Sequence, residues 1–181
     1  MNSKLRIAVI SGGTSAEASV SRVSAKGVTE ALSVNYPHVV NIELDGHLTN
    51  NLQAFRPDLV FPVLHGPPGE DGTLQGFLEI LGYAYVGSDV HSSAVAMDKI
   101  VAKHVFRAAS LPVIDQMTVT INSAITASVE AINAQLGTYV VIKPARQGSA
   151  LGVMRVSNLN EMHDGLENAF KFDPRLLVEK R

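Results

Sequence analysis

Leu5-Arg6-Ile7-Ala8-Val9-Ile10-Ser11-Gly12-Gly13-Thr14-Ser15-Ala16-Glu17 is the stretch whose reading decides the fold. Leu5 to Ser11 is a short apolar run closed by glycines, the pattern of a parallel strand buried on both faces. Thr14 and Ser15 stand where a helix cap belongs, and Val20, Val23, Val28 and Leu32 then share one side of the expected helix. Working outward, residues 38–44 and 59–64 are further strands, the second introduced by Pro57-Asp58. Residues 73–81 carry helical spacing through Leu74, Phe77, Leu78 and Leu81, and residues 83–86 form a short strand. Strands alternating with helices predict an α/β fold, a doubly wound parallel sheet, over residues 1 to about 95.

Beyond that point the texture changes. Residues 92–109 are helical, in two pieces, and Leu111-Pro112 leads into a new pattern. Strands are expected at residues 116–121, 139–143, 152–156 and 176–179, with helices at 127–136 and 160–170. This is a small α+β module over residues 96–181. Its last strand, read as lacking sheet neighbours, would leave an exposed edge and make this module the less protected one in hydrogen exchange. The chain's finish at Lys180-Arg181 reads as a cut rather than a natural terminus.

Composition narrows the classes. The 181 residues are 46% hydrophobic with a net charge of −2, so a core is affordable and no basic footprint for nucleic acid or an anionic membrane is present. There is no cysteine, which excludes disulfides and thiolate metal sites. No secretory or membrane-spanning segment is legible, and the expected compartment is the cytoplasm.

Three loops carry chemistry. Gly12-Gly13-Thr14-Ser15-Ala16-Glu17 lies at the carboxyl end of the first strand, where open α/β sheets bind ligands. N–H groups at the helix start suit an anionic group and Glu17 a cationic one, a pairing that fits a zwitterionic amino acid. The same residues also read as a plain tight turn. His65-Gly66-Pro67-Pro68-Gly69-Glu70-Asp71-Gly72 is a shaped loop at the same sheet edge. Lys143-Pro144-Ala145-Arg146-Gln147-Gly148-Ser149 follows a buried strand, so Lys143 needs a partner: a phosphate, or, if this is an exposed hairpin loop, a surface acid. Lys99 is a further phosphate candidate or a solvated helix residue. The remaining histidines show no ligand spacing.

Together these stretches resemble the D-alanine–D-alanine ligase family. The pieces occur in family order: Gly12 to Glu17 with Val20-Ser21, His65-Gly66 with Gly69 to Gly76, Tyr85-Val86-Gly87-Ser88, Ala96-Met97-Asp98-Lys99, Lys143 to Arg146 with Gly148-Ser149, and Leu177-Val178-Glu179-Lys180. Ala150 and Ser19 depart from residues common in the family. The resemblance implies a pre-ATP-grasp domain followed by part of the smaller ATP-grasp subdomain. It also implies a cytoplasmic ligase of peptidoglycan precursor synthesis, which joins two D-alanines through an acyl phosphate made with ATP and Mg²⁺.

By position, Glu17 would hold the first D-alanine's ammonium, His65 would lie beside that substrate, and Ser149 would join Glu17 in a hydrogen-bond network. Lys99 and Lys143 would neutralise ATP phosphates, and Glu179 would contact the nucleotide near its base and ribose. The metal ligands are expected beyond Arg181, none in this chain, and the chain alone is expected to be inactive. The partners implied are D-alanine and ATP, with a C-terminal ligase half or a homodimer partner. A non-catalytic binding module, or one subunit of a split ligase, is the alternative.

Overall fold

In the computed structural model, which describes residues 4–181, strand β1 (Arg6–Ser11) is buried on both faces and organises the first of two units. The chain divides after Ala94, and the second unit starts at Val95. In the first, β1 is flanked in parallel by β2 (His38–Glu43) and β3 (Leu59–Pro62), giving the order β2-β1-β3. Side chains alternate across a strand. Ala8 and Ile10 therefore face one way and join Leu48, Leu52, Leu74 and Leu78 in a core. These leucines come from α2 (Leu48–Phe55) and α3 (Thr73–Ile80). Ile7 and Val9 are equally buried on the other face, and α1 (Ala18–Ser33) also packs against β1 and β2. This is an α/β unit with a parallel sheet.

The expected face of α1 holds only toward its C-terminal end, where Val28 and Leu32 are partly buried. Val20 and Val23 are 54% and 76% exposed, and Ala18, Ser21 and Ala25 are buried instead. Small residues let the helix approach the strands closely, and Ser21 Oγ is bonded between Gly12 N–H (2.9 Å) and the Val63 carbonyl (2.5 Å). Helix α2 is an element the sequence reading lacked. Residues 83–86 form no full strand but only a single parallel bridge, Val60 to Tyr85.

The predicted two-piece helix is α4 (Val90–Met97) and α5 (Lys99–Ala108). The second unit then builds a four-stranded antiparallel sheet from β4 (Gln116–Thr120), β5 (Val140–Pro144), β6 (Met154–Val156) and β7 (Arg175–Lys180), in the order β4-β7-β5-β6. Helices α6 (Ile125–Leu136) and α7 (Leu159–Ala169) supply Ile132, Leu136, Met162 and Leu166 to its core. The expectation of an unpaired last strand is overturned: β7 lies between β4 and β5, and Leu176, Leu177 and Val178 are fully buried. The stated ground for weaker hydrogen-exchange protection in this unit therefore disappears.

Candidate functional site

The singled-out side chains gather in two places, one in each unit. In the first unit, Gly12 and Gly13 turn the chain after β1 with φ of 81° and 82°, a conformation that costs glycine little. Their N–H groups are used internally: Gly12 donates to Ser21 Oγ, and Gly13 donates to Glu43 Oε1 (3.2 Å). Arg22 in turn binds Glu43 at 2.6 Å, and its hydrogen bond holds the Glu43 carboxyl below its usual range. The anion-binding half of the expected ligand pair is thus not built on these two glycines.

Ser15 does not stand directly before α1, but its Oγ accepts from the Glu17 N–H (3.3 Å) at the helix start. Its hydroxyl donates to the His65 carbonyl (2.8 Å) and so ties the first loop to the second. Glu17 ends the turn as the residue preceding α1. Its Oε2 would stand 3.4 Å from a Cβ placed on Gly66, a position that glycine leaves open. His65 Nε2 is buried and has no hydrogen-bond partner, an acceptor or donor awaiting one. Glu70 and Asp71 serve the loop itself, accepting from the Gly66 N–H (2.6 Å) and the Thr73 N–H (3.0 Å). The structure therefore brings Ser15, Glu17, His65 and Gly66 together and leaves Glu70 and Asp71 as turn residues.

In the second unit, Lys143 occupies the end of β5, and its partner is Glu179 on the neighbouring β7. Glu179 is 4% exposed and accepts from two lysines, Lys143 on Oε2 and Lys103 on Oε1. Lys99 opens α5 and donates to the carbonyls of Pro144 (3.2 Å) and Gln147 (2.5 Å). A buried Asp98 fixes that helix start: it caps the N–H groups of Ile100 (3.1 Å) and Val101 (3.2 Å) and binds Arg175.

Lys99, Lys103, Lys143 and Glu179 line one cavity of ≈ 300 Å³. Its apolar wall includes Ala102, Phe106 and Leu177. Burial, then the nearby Lys143 charge, pulls both Lys99 and Lys103 below the ordinary lysine value; Arg107 adds to the effect at Lys103. Ser149, with φ of 46°, lies on the loop after β5, in a different unit from Glu17.

Lys103 and Phe106 were absent from the sequence reading. One signal was available, because Lys99 and Lys103 stand four apart on a helix and so share a face. The arrangement suits a ligand with an apolar, planar part and a polyanionic part. It does not suit a divalent cation, since Glu179 is the only carboxylate lining the cavity and both its oxygens are engaged by lysines. Among the described residues, the one group with metal-ligand geometry is His163, Asp164 and Glu167, which lies outside this cavity.

Fold and site define the class: a two-unit α/β protein whose second unit holds a lysine-lined cavity with a buried carboxylate. Two family models match the chain, "D-ala D-ala ligase N-terminus" over residues 45–88 and "D-ala D-ala ligase C-terminus" over residues 105–181. The D-alanine–D-alanine ligases of Moorella thermoacetica and Halalkalibacterium halodurans are each 40% identical over 97% of this chain, covering 58% and 57% of their own length. A solved D-alanine–D-alanine ligase from Bacillus anthracis superposes with a TM-score of 0.87 at 34% identity, over 98% of this chain and 57% of that one. The same enzyme complexed with ATP gives 0.81 at 31% identity, over 98% of this chain and 58% of that one. The chain belongs to the D-alanine–D-alanine ligase family, and it spans a little over half the length of these curated relatives.

Proposed function

We propose that this chain is the part of a D-alanine–D-alanine ligase that holds the first D-alanine and the phosphates of ATP. The observation that carries the reading is the convergence of Lys99, Lys103 and Lys143 with Glu179 on one cavity. The unit from Val95 is then the smaller ATP-grasp subdomain, and the unit up to Ala94 is the pre-ATP-grasp domain. Glu17 takes the ammonium of D-alanine, and His65 lies beside it with its unpartnered Nε2. Lys99 and Lys143 take the phosphates, while Glu179 accepts from the nucleotide's base or ribose. The γ-phosphoryl group passes to the carboxylate of the first D-alanine, leaving ADP. The amine of the second then attacks the acyl phosphate, a peptide bond forms and inorganic phosphate leaves. Positioning and charge stabilisation supply the rate. Dependence on ATP sets the work in the cytoplasm.

Chemical-shift titration of the purified chain tests the binding roles. ATP should move the resonances of residues 96–106, 143–149 and 177–179, and D-alanine those of residues 12–17 and 65–70. Shifts confined to other regions would remove both assignments. Phosphate release with ATP, Mg²⁺ and D-alanine, measured with and without the remaining half of a relative, tests the reaction. D-alanine-dependent release on adding that half is expected; silence there would leave a binding module.

The depressed lysines add a pH signature. Lys99 and Lys103 lose their protons below the ordinary 10.5. A phosphate favours the charged form and raises both again. ATP binding should therefore take up more protons just below the ordinary lysine value of 10.5 than near neutrality, as these lysines regain the charged form. Calorimetry in buffers of different ionisation enthalpy reads this directly. Equal uptake under both conditions would place the phosphates elsewhere.

A further inference from the structure

Glu179 poses a problem that two lysines solve. Its side chain is only 5% exposed, and Lys143 is one of its two partners. If Lys143 turned to a phosphate and Glu179 had no other counter-ion, a carboxylate would be stranded in a nearly dry site. That stranding is unfavourable enough to cancel what one lysine–phosphate contact supplies. Lys103 removes the conflict. It reaches the other carboxylate oxygen from α5, and its own side chain is 19% exposed.

One carboxylate thus faces two lysines, with Lys99 lining the same cavity and no second carboxylate there. A surplus of partly buried positive charge is unfavourable in the absence of an anion and favourable once one arrives. Burial first, and then the charges of Lys143 and Arg107, lower the proton affinity of Lys103.

Resting on the nucleotide reading above, we infer that Lys103 is a positioning residue: it retains the Glu179 carboxylate when Lys143 is given over to the ATP phosphates. Lys103 itself contacts no phosphate. Its effect reaches the nucleotide through the Glu179–Lys143 pair, so it controls how much affinity the phosphates add to that of the nucleoside.

The readout is the ratio of adenosine to ATP dissociation constants, measured by chemical-shift titration, which reaches millimolar affinities. In Lys103→Met, Lys143 stays locked on Glu179. ATP should weaken about tenfold, the low end for losing one charge-assisted hydrogen bond, while adenosine changes little. The ratio therefore falls about tenfold. Lys103→Arg should restore most of it, because a guanidinium keeps the carboxylate paired. Lys103→Met/Glu179→Gln should also restore it, since no stranded charge then holds Lys143 back.

A parallel loss of adenosine and ATP affinity, with the ratio unchanged, would show a merely structural lysine and overturn the inference. Should Lys103→Met fail to fold, Glu179→Gln compared with the double variant decides. Equal ratios support action through Glu179, and a lower ratio in the double variant overturns it by showing direct phosphate contact. A wild-type chain that binds neither ligand overturns the nucleotide reading together with this inference. Wild-type binding with a ratio insensitive to Lys103→Met overturns this inference alone.

Discussion

Asp173→Ala is expected to destabilise the second unit by about 3 kcal/mol, measured by urea unfolding. The Asp173 side chain is 1% exposed. It accepts from the Arg146 N–H (3.0 Å), Nε (3.1 Å) and Nη2 (3.3 Å), and from the Arg175 N–H (2.9 Å). Alanine leaves all four donors without their acceptor. The Arg146 side chain is 48% exposed and can return to water. The cost therefore falls mainly on the two backbone N–H groups, which the chain path holds in place. Asp173→Asn keeps one acceptor oxygen and turns an amide donor toward the remaining donors, so about 2 kcal/mol is expected.

The consequence for binding follows from the same contacts. Arg146 lies in the loop after β5, and the next residue, Gln147, accepts from Lys99 through its carbonyl. A loop released from Asp173 no longer fixes Lys99, so ATP affinity should fall in the alanine variant even at temperatures where the unit remains folded. A loss of stability under about 1 kcal/mol would mean that the orphaned donors rehydrate freely and that Asp173 does not hold the loop.

The elements whose sequence states their own environment were legible. Leu5 to Ser11 has the pattern of a strand buried on both faces, and β1 is one. Lys143 after Val140-Val141-Ile142 had to find an anionic partner, and it has one. What stayed hidden depends on tertiary contact. Helix α2 reads Leu48-Thr49-Asn50-Asn51-Leu52, with residues of modest helix propensity, and it is secured by burying Leu48 and Leu52 against the sheet. On α1 the valines advertise an apolar face, but close approach to the strands selects Ala18, Ser21 and Ala25. Lys103 looks like any solvated helix lysine until β7 brings Glu179 to it, 76 residues later in the chain. The family motifs named Lys99, Lys143 and Glu179 but gave no hint that two of these are paired with each other.

Gly152→Ala should cost about 3 kcal/mol, again in the second unit, through two separable effects. Gly152 has a φ of 69°, where a Cβ meets its own backbone and costs roughly 1–2 kcal/mol. The added atom would also stand 2.6 Å from the Phe172 ring and 2.9 Å from Pro144 Cγ. These neighbours differ in their freedom to yield. Phe172 is 41% exposed and can rotate away, while Pro144 is buried within β5 and paired to β7. Removing the ring should therefore relieve only part of the penalty. Phe172→Ala is expected to cost little by itself, and the double variant should be about 0.5–1 kcal/mol more stable than the two single losses predict. Additive losses would show that the backbone strain and Pro144 set the whole cost. A penalty below about 1 kcal/mol for Gly152→Ala would mean that the loop re-forms around the new methyl group. The stretch between Pro144 and Gly152 would then be softer than its contacts imply, and Lys99 and Lys143 would depend on bound nucleotide rather than on the fold for their positions.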